Sequence, residues 1–242
     1  MGVGADIAVA LTNEIVEVDT SFSGAKLTLF GAVSGIEDED GDGSLDGVDI
    51  IAVVKGPQTS FNIRRLEKHA VIWMPGQSHK VASAPSLYVT AATKPIDQIA
   101  ALETQTTHHL QADFLPLQLQ LTDEMEGNLE FQSILRSAFL REVQALGLYQ
   151  TSVGAVQFQK QGLFTINIDL PSTTPVGSYS VSVLLFIDGV LVGDDETMLD
   201  VNKVGIERHI FESAHNRPVS YGIACVALSL LAGWIAGVVF RK

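Results

Sequence analysis

The chain has 242 residues, 15 basic against 28 acidic side chains for a formal charge of −13, and 46% hydrophobic residues. That length holds one large or two small domains. The acidic balance excludes a nucleic-acid partner, whose phosphates need a basic face, and polybasic docking on anionic lipid.

In chain order, the first hundred residues break into short β-rich runs. "EIVEV" (Glu14–Val18) alternates, and "AKLTLFGAV" (Ala25–Val33) follows it. "VDIIAVVKG" (Val48–Gly56) is rich in β-branched residues, as a buried strand requires. "TSFNIRRL" and "SLYVTAA" (Ser86–Ala92) continue the series. Gly56–Pro57, Pro75–Gly76–Gln77–Ser78 and Ala84–Pro85 punctuate it. Pro95 opens a short helix through Leu110, because proline tolerates the first helical position.

A stronger helix is expected from about Asn128 to Leu146. Phe131, Ile134, Leu135, Ala138, Phe139, Val143 and Leu146 repeat at helical spacing, and Gly147 stops the run. Packing on a sheet accounts for this stripe; the functional alternative is a partner-binding helix. "GLFTINIDL" (Gly162–Leu170) then alternates again. "SYSVSVLLFIDGVLVGDDETMLDV" is the clearest hairpin, with Tyr179, Val181, Val183, Leu185 and Ile187 on one face. Asp188–Gly189 supplies the two positive-φ residues of a type I′ turn.

Val219–Phe240 is a run of 22 residues without Asp, Glu, Lys, Arg, His, Asn or Gln. At ~1.5 Å per residue a helix of that length spans ~33 Å, against a ~30 Å hydrocarbon core. Membrane lipid is therefore an expected partner through 219–240. Arg241 and Lys242 favour a cytoplasmic C-terminus, although Lys203, Arg208 and Arg217 flank the other side. The start, "MGVGADIAVAL", lacks the basic n-region and long apolar core of an export signal. Three readings stay open: an upstream start, a processed chain, or a cytosolic body. Ser229, Gly233 and Gly237 recur every four residues, a row that lets two helices approach as a homodimer.

The fold expectation is mainly β. It is an Ig-like antiparallel β-sandwich body, one large or two small sandwiches, with one or two helical insertions and a single C-terminal transmembrane helix. The expected partition is a β-rich domain over 1–122 with an acidic hairpin loop at 37–49, an amphipathic helix within 123–147 and a second β-unit over 148–205. A juxtamembrane linker over 206–218, the membrane helix over 219–240 and a cytoplasmic tail of 241–242 complete it.

Chemistry concentrates in "IEDEDGDGSLDGVDI" (Ile36–Ile50), where seven acids stand without a base. A calcium loop takes ligands at positions 1, 3, 5, 7, 9 and 12, with glycine at 6. Asp38, Asp40, Asp42, Ser44, Asp46 and Asp49 fall on those positions, with Gly43 at 6. Position 12 is Asp where such loops carry a bidentate Glu, and strands flank the loop where an EF-hand has helices. Ca²⁺ is therefore the one expected cofactor, opposed by a solvated acidic turn. Calcium here stiffens the hairpin tip, since no flanking helices stand ready to move.

Other motifs are sparse. Cys225 is the sole cysteine, so no intrachain disulfide or CxxC site exists. HExxH, GxSxG, P-loop and GxGxxG patterns are absent. His108 and His109 are neighbours, which on a helix splay ~100° apart and ligate poorly together. Lys55, Arg64, Arg65 and Lys68 form the body's basic cluster, an anion-binding patch or a solvated strand face.

"GLFTINIDLPSTTPVGSYSVSVLLFIDGVLV" and "VNKVGIERHIFESAHNRPVSYGIACVALSLLAGWIAGVVFRK" resemble the alphaproteobacterial putative transmembrane protein family. "KGPQTSFNIRRLEKHAVIWM" and "PSLYVTAATKPIDQI" extend the likeness, to roughly residues 6–242. The resemblance implies an inner-membrane protein with a periplasmic body and one C-terminal anchor. It supplies no catalytic residues, and it implies company with sulfite-exporter-like anion permeases.

Function is thus expected to be binding or scaffolding at the periplasmic face of a bacterial inner membrane, beside an anion exporter or envelope assembly and with a membrane-protein partner. Two rivals stand: a calcium-dependent adhesion module, and an enzyme with a nonlocal site around Arg64, Arg65, His69 and His79.

Overall fold

Strand β4 (Val48–Lys55) is buried on both faces from Val48 to Val54. Apart from Asp49 its run is apolar and leaves neither face fit for water, and the fold places it centrally. It lies between β12 (Gly177–Ile187) and β7 (Tyr88–Ala92) in a six-stranded sheet. That sheet continues through β13 (Val190–Lys203) to β2 (Ile15–Val18) on one side and ends at β9 (Tyr149–Val153) on the other. The computed structural model describes residues 5–18, 23–36, 45, 47–69, 72–120, 128–159 and 162–203, with 222, 226, 229–231, 233 and 234.

A second sheet of four strands has the order β1 (Asp6–Leu11), β3 (Ala25–Ser34), β11 (Leu163–Leu170), β10 (Val156–Phe158). Alternation decides its buried face: Leu27, Leu29 and Val33 on β3 and Phe164, Ile166, Ile168 and Leu170 on β11 are buried. β11 lies against β7 across the core. At one edge the Val9 amide donates to Asp195 Oδ2 at 2.9 Å, joining β1 to β13. Strands from 6–92 and from 149–203 interleave: β3 pairs with β11, and β4 with β12. The two stretches, which the sequence left open as one large sandwich or two small ones, share both sheets.

The β12–β13 hairpin turns at Asp188 (φ 49°) and Gly189 (φ 81°), as the type I′ chemistry requires. At its start the Tyr179 hydroxyl donates to the Pro175 carbonyl. This matches the tyrosine corner of Ig-like sandwiches, in which a buried ring ties its strand to the preceding loop.

Among the described registers one pair departs from the antiparallel expectation. β7 and β9 run parallel, with Tyr88 opposite Tyr149. Parallel neighbours need a long crossover, and residues 93–148 supply it. That crossover holds α1 (Ile96–Ile99), α2 (Leu102–His108), β8 (Gln118–Leu119) and α3 (Leu129–Ala145). The single helix expected from Pro95 to Leu110 is broken, because Ala100 and Ala101 are extended. Gln105 Nε2 donates to the freed Ala100 carbonyl at 2.7 Å and stabilises the break.

The third sheet is small, with order β5 (Gln58–His69), β6 (Ile72–Pro85), β8. Apart from the last residues of β2 and β13, these parts lie within one compact unit, Met1–Val16 with Phe22–Asn202. A second unit comprises Glu17–Ser21 and Lys203–Lys242. Its described residues 222, 226, 229–231, 233 and 234 are helical, and Val226, Leu230, Leu231 and Trp234 are exposed.

The expectation of a single transmembrane helix over 219–240 is corrected. Among the described residues no helix is long and apolar enough to cross a membrane. The segment satisfies the compositional requirement, but spanning also needs one continuous helix of about 20 residues, and the described residues contain none. Of the proposed dimer row, Ser229 and Gly233 are helical, and Gly237 lies outside the described residues.

Candidate functional site

Helix α3 is held at both ends and in the middle. Asn128 caps its start, its side chain accepting from the Phe131 amide at 3.0 Å. Its end is a Schellman turn: Gly147 has φ 71°, its amide donates to Gln144, and the Leu148 amide donates to Val143. Arg136 Nη2 donates to the carbonyls of Asp113 and Leu115, both at 2.7 Å. The helix is therefore fixed against the crossover segment before it.

Its buried stripe, Leu135, Phe139, Leu140 and Val143, faces inward. Phe139 meets Phe61 of β5 at 5.2 Å between ring centroids, and Tyr149 of β9 edge-on at 5.9 Å. Phe131, one turn from the helix start, meets the ring of His79 on β6 edge-on at 5.3 Å. Ile63 stands opposite His79 in the β5–β6 register.

Between α3 and this hairpin lies a groove of about 860 Å³. Its apolar lining includes Phe61, Ile63, Phe131, Ile134, Phe139 and Leu146. Ile134 is 57% exposed and Leu146 54%, so the helix presents uncovered apolar surface beside its buried stripe. Polar groups also border it: Asn62, Arg64, His79, Arg141 and Glu142. His79 is 7% exposed, and among the described residues its buried Nδ1 has no hydrogen-bond partner. Such an orphaned group costs about 1–3 kcal/mol when nothing satisfies it.

The sequence pointed to part of this site. Of Arg64, Arg65, His69 and His79, the fold brings Arg64 and His79 to one groove. The side chains of Arg65, Lys68 and His69 lie outside the described residues. Arg141 and Glu142 were missed: on α3 they read as polar punctuation of an apolar stripe, and no local signal ties them to β5. Lys55 of the basic cluster sits at the end of β4, where burial pushes its ammonium below the usual range, partly offset by Glu196.

The acidic loop is described only at its base. Asp38, Asp40, Asp42, Ser44 and Asp46 lie outside the described residues. Asp49 stands in β4 and is 7% exposed. Thr93 Oγ1 donates to its Oδ1 at 2.6 Å, and Lys94 Nζ to its Oδ2 at 3.1 Å. Bidentate ligation of a cation by Asp49 would have to displace both partners. Among the described residues no group of three His, Cys, Asp or Glu side chains is arranged to hold a metal.

Residues 6–242 match the family described as "Putative transmembrane protein (Alph_Pro_TM)". The chain belongs to that family. The match covers both sheets and the groove, so the groove is part of the family domain. No curated protein matches the chain. Among solved structures it is similar to Spo0M, a sporulation control protein from Bacillus subtilis, at 10% identity and a TM-score of 0.27. That similarity covers 89% of this chain and spans 56% of the other.

Proposed function

We propose that this member of the family works by binding, and that the groove between α3 and the β5–β6 hairpin is where it holds its ligand. The observation that carries the reading is the buried Nδ1 of His79, unpartnered among the described residues, beside uncovered apolar surface. Small-molecule sites combine an apolar lining with a few placed polar groups in ~300–1,000 Å³. Binding is favoured over the enzymatic rival because an acid–base histidine is oriented by a hydrogen-bonded partner, which His79 Nδ1 does not have among the described residues. We place the body at the periplasmic face of a bacterial inner membrane, as an accessory to an anion exporter or envelope assembly. Capture of that exporter with the full-length chain from membranes tests this placement; recovery of the chain alone under several mild detergents overturns it.

The groove itself is tested with the uncharged dye N-phenyl-1-naphthylamine. Fluorescence should rise on mixing with the full-length chain and be lost in Ile134→Asp, which charges an exposed wall residue. An equal rise in that variant overturns the reading.

A calcium-stiffened tip at 37–49 is the second reading, supported by the ligand spacing. With Asp49 engaged by Thr93 and Lys94, its proposed ligands reduce to Asp38, Asp40, Asp42, Ser44 and Asp46. Calorimetric Ca²⁺ titration should give one-site heat that Asp40→Ala/Asp42→Ala abolishes. Heat unchanged by the double substitution overturns it.

A further inference from the structure

We infer that the groove takes a single-chain amphiphile with a monoanionic carboxylate head, an inference that rests on the binding reading above. The apolar part follows from the lining. Phe61, Ile63, Phe131 and Phe139 give a rigid aromatic and branched wall, and Ile134 and Leu146 leave apolar area in water that an alkyl chain would cover.

The head follows from charge. Arg64 comes from β5, and Arg141 and Glu142 come from α3; all three are exposed. Among the described lining residues two guanidiniums and one carboxylate leave a single positive charge, on a chain whose total is −13. One negative charge balances it. A dianionic head would bring surplus charge against Glu142. Guanidinium forks match the planar oxygens of a carboxylate, and those bonds are the stronger, charge-assisted kind. His79 borders the same groove, and its buried Nδ1 lacks a hydrogen-bond partner among the described residues; a carboxylate oxygen accepts from Nδ1–H once the ring turns that atom toward the groove. Phe131 packs edge-on against the ring.

The experiment uses the full-length chain and two photoreactive probes: tetradecanoate with a mid-chain diazirine, and tetradecanol with the same group. Adducts are mapped by peptide mass spectrometry as each probe is titrated. The carboxylate probe should label within 58–64 and 131–146 and saturate at a concentration at least about tenfold below the alcohol. Arg64→Gln/Arg141→Gln should weaken the carboxylate probe by about tenfold or more and leave the alcohol unchanged. His79→Phe, which keeps a ring against Phe131, should also weaken only the carboxylate. Equal labelling by both probes in the groove overturns the anionic head and leaves the binding reading standing. Labelling by neither probe overturns both. Preference for tetradecyl phosphate over tetradecanoate in competition overturns the monoanionic carboxylate. Cross-links between α3 of two copies in place of probe adducts would give the groove to a second copy and overturn the inference.

Discussion

Phe139 and Phe61 touch at 5.2 Å between ring centroids, with their planes inclined by 59°. This contact joins a helix to a hairpin more than seventy positions earlier in the chain. Phe139 is 1% exposed and also meets Tyr149. Phe139→Ala should therefore destabilise the protein by about 3–5 kcal/mol, with loss of dye binding in the groove. Phe139→Leu should cost well under half of that. Urea denaturation of the full-length variants, read with the dye, checks both.

Asp49 predicts an asymmetry. Its side chain is 10% exposed, whereas that of its partner Lys94 is 55% exposed. Asp49→Ala removes the acceptor of both Thr93 and Lys94 and should cost about 1–3 kcal/mol. Lys94→Ala removes a half-solvated partner and should cost less than about 1 kcal/mol. Equal losses in chemical denaturation would contradict the geometry described for this pair.

Three tyrosines should ionise late. Burial pushes the Tyr179 hydroxyl up to about 12 and raises Tyr88 and Tyr149 as well. Each donates to a carbonyl: Tyr88 to His109, Tyr149 to Pro85, and Tyr179 to Pro175. A folded-state pKa above the unfolded value favours the protonated, folded form. This stability is complete below about pH 10 and is lost as pH rises through the folded value. For Tyr179 that window runs from about 10 to about 12. Phenolate absorbance should rise for these residues together with loss of near-ultraviolet dichroism. A rise that precedes unfolding would count against their burial.

Gly31 has no room for a side chain. A Cβ there would lie 2.1 Å from Cζ of Phe164, which stands opposite it on β11. Gly31→Ala should cost about 1–3 kcal/mol through overpacking. Adding Phe164→Leu should return part of that loss, because the two residues share one space. A double-mutant cycle that proves additive would sink this account.

The legible elements were those whose pattern is local. The β-branched run of β4, the 3.6-residue stripe of α3 and the Asp188–Gly189 turn each carry their own period or turn chemistry. Strand β6 was not legible, since Pro75–Gly76–Gln77–Ser78 reads as a turn. The fold carries a strand through it by pairing it with β5, and the β5–β6 register shifts between Arg64 and Leu66, where Leu66 stands opposite Pro75. Proline is tolerated at such a bulge. The parallel pairing of β7 and β9 was hidden for a different reason: strand direction depends on the route of the crossover, which no strand encodes.

The sequence by itself determined a mainly β body, the amphipathic helix and its stop at Gly147, and the family. It does so because composition, period and turn residues act within a few positions along the chain. The tertiary structure alone decided that both halves share their sheets, that Asp49 is taken by Thr93 and Lys94, and that Arg64 and His79 line one groove with Arg141 and Glu142. Periodicity says which face of a strand or helix avoids water. Which two faces then meet is set by packing among residues far apart in the chain, and the groove exists only where α3 stops short of covering β5.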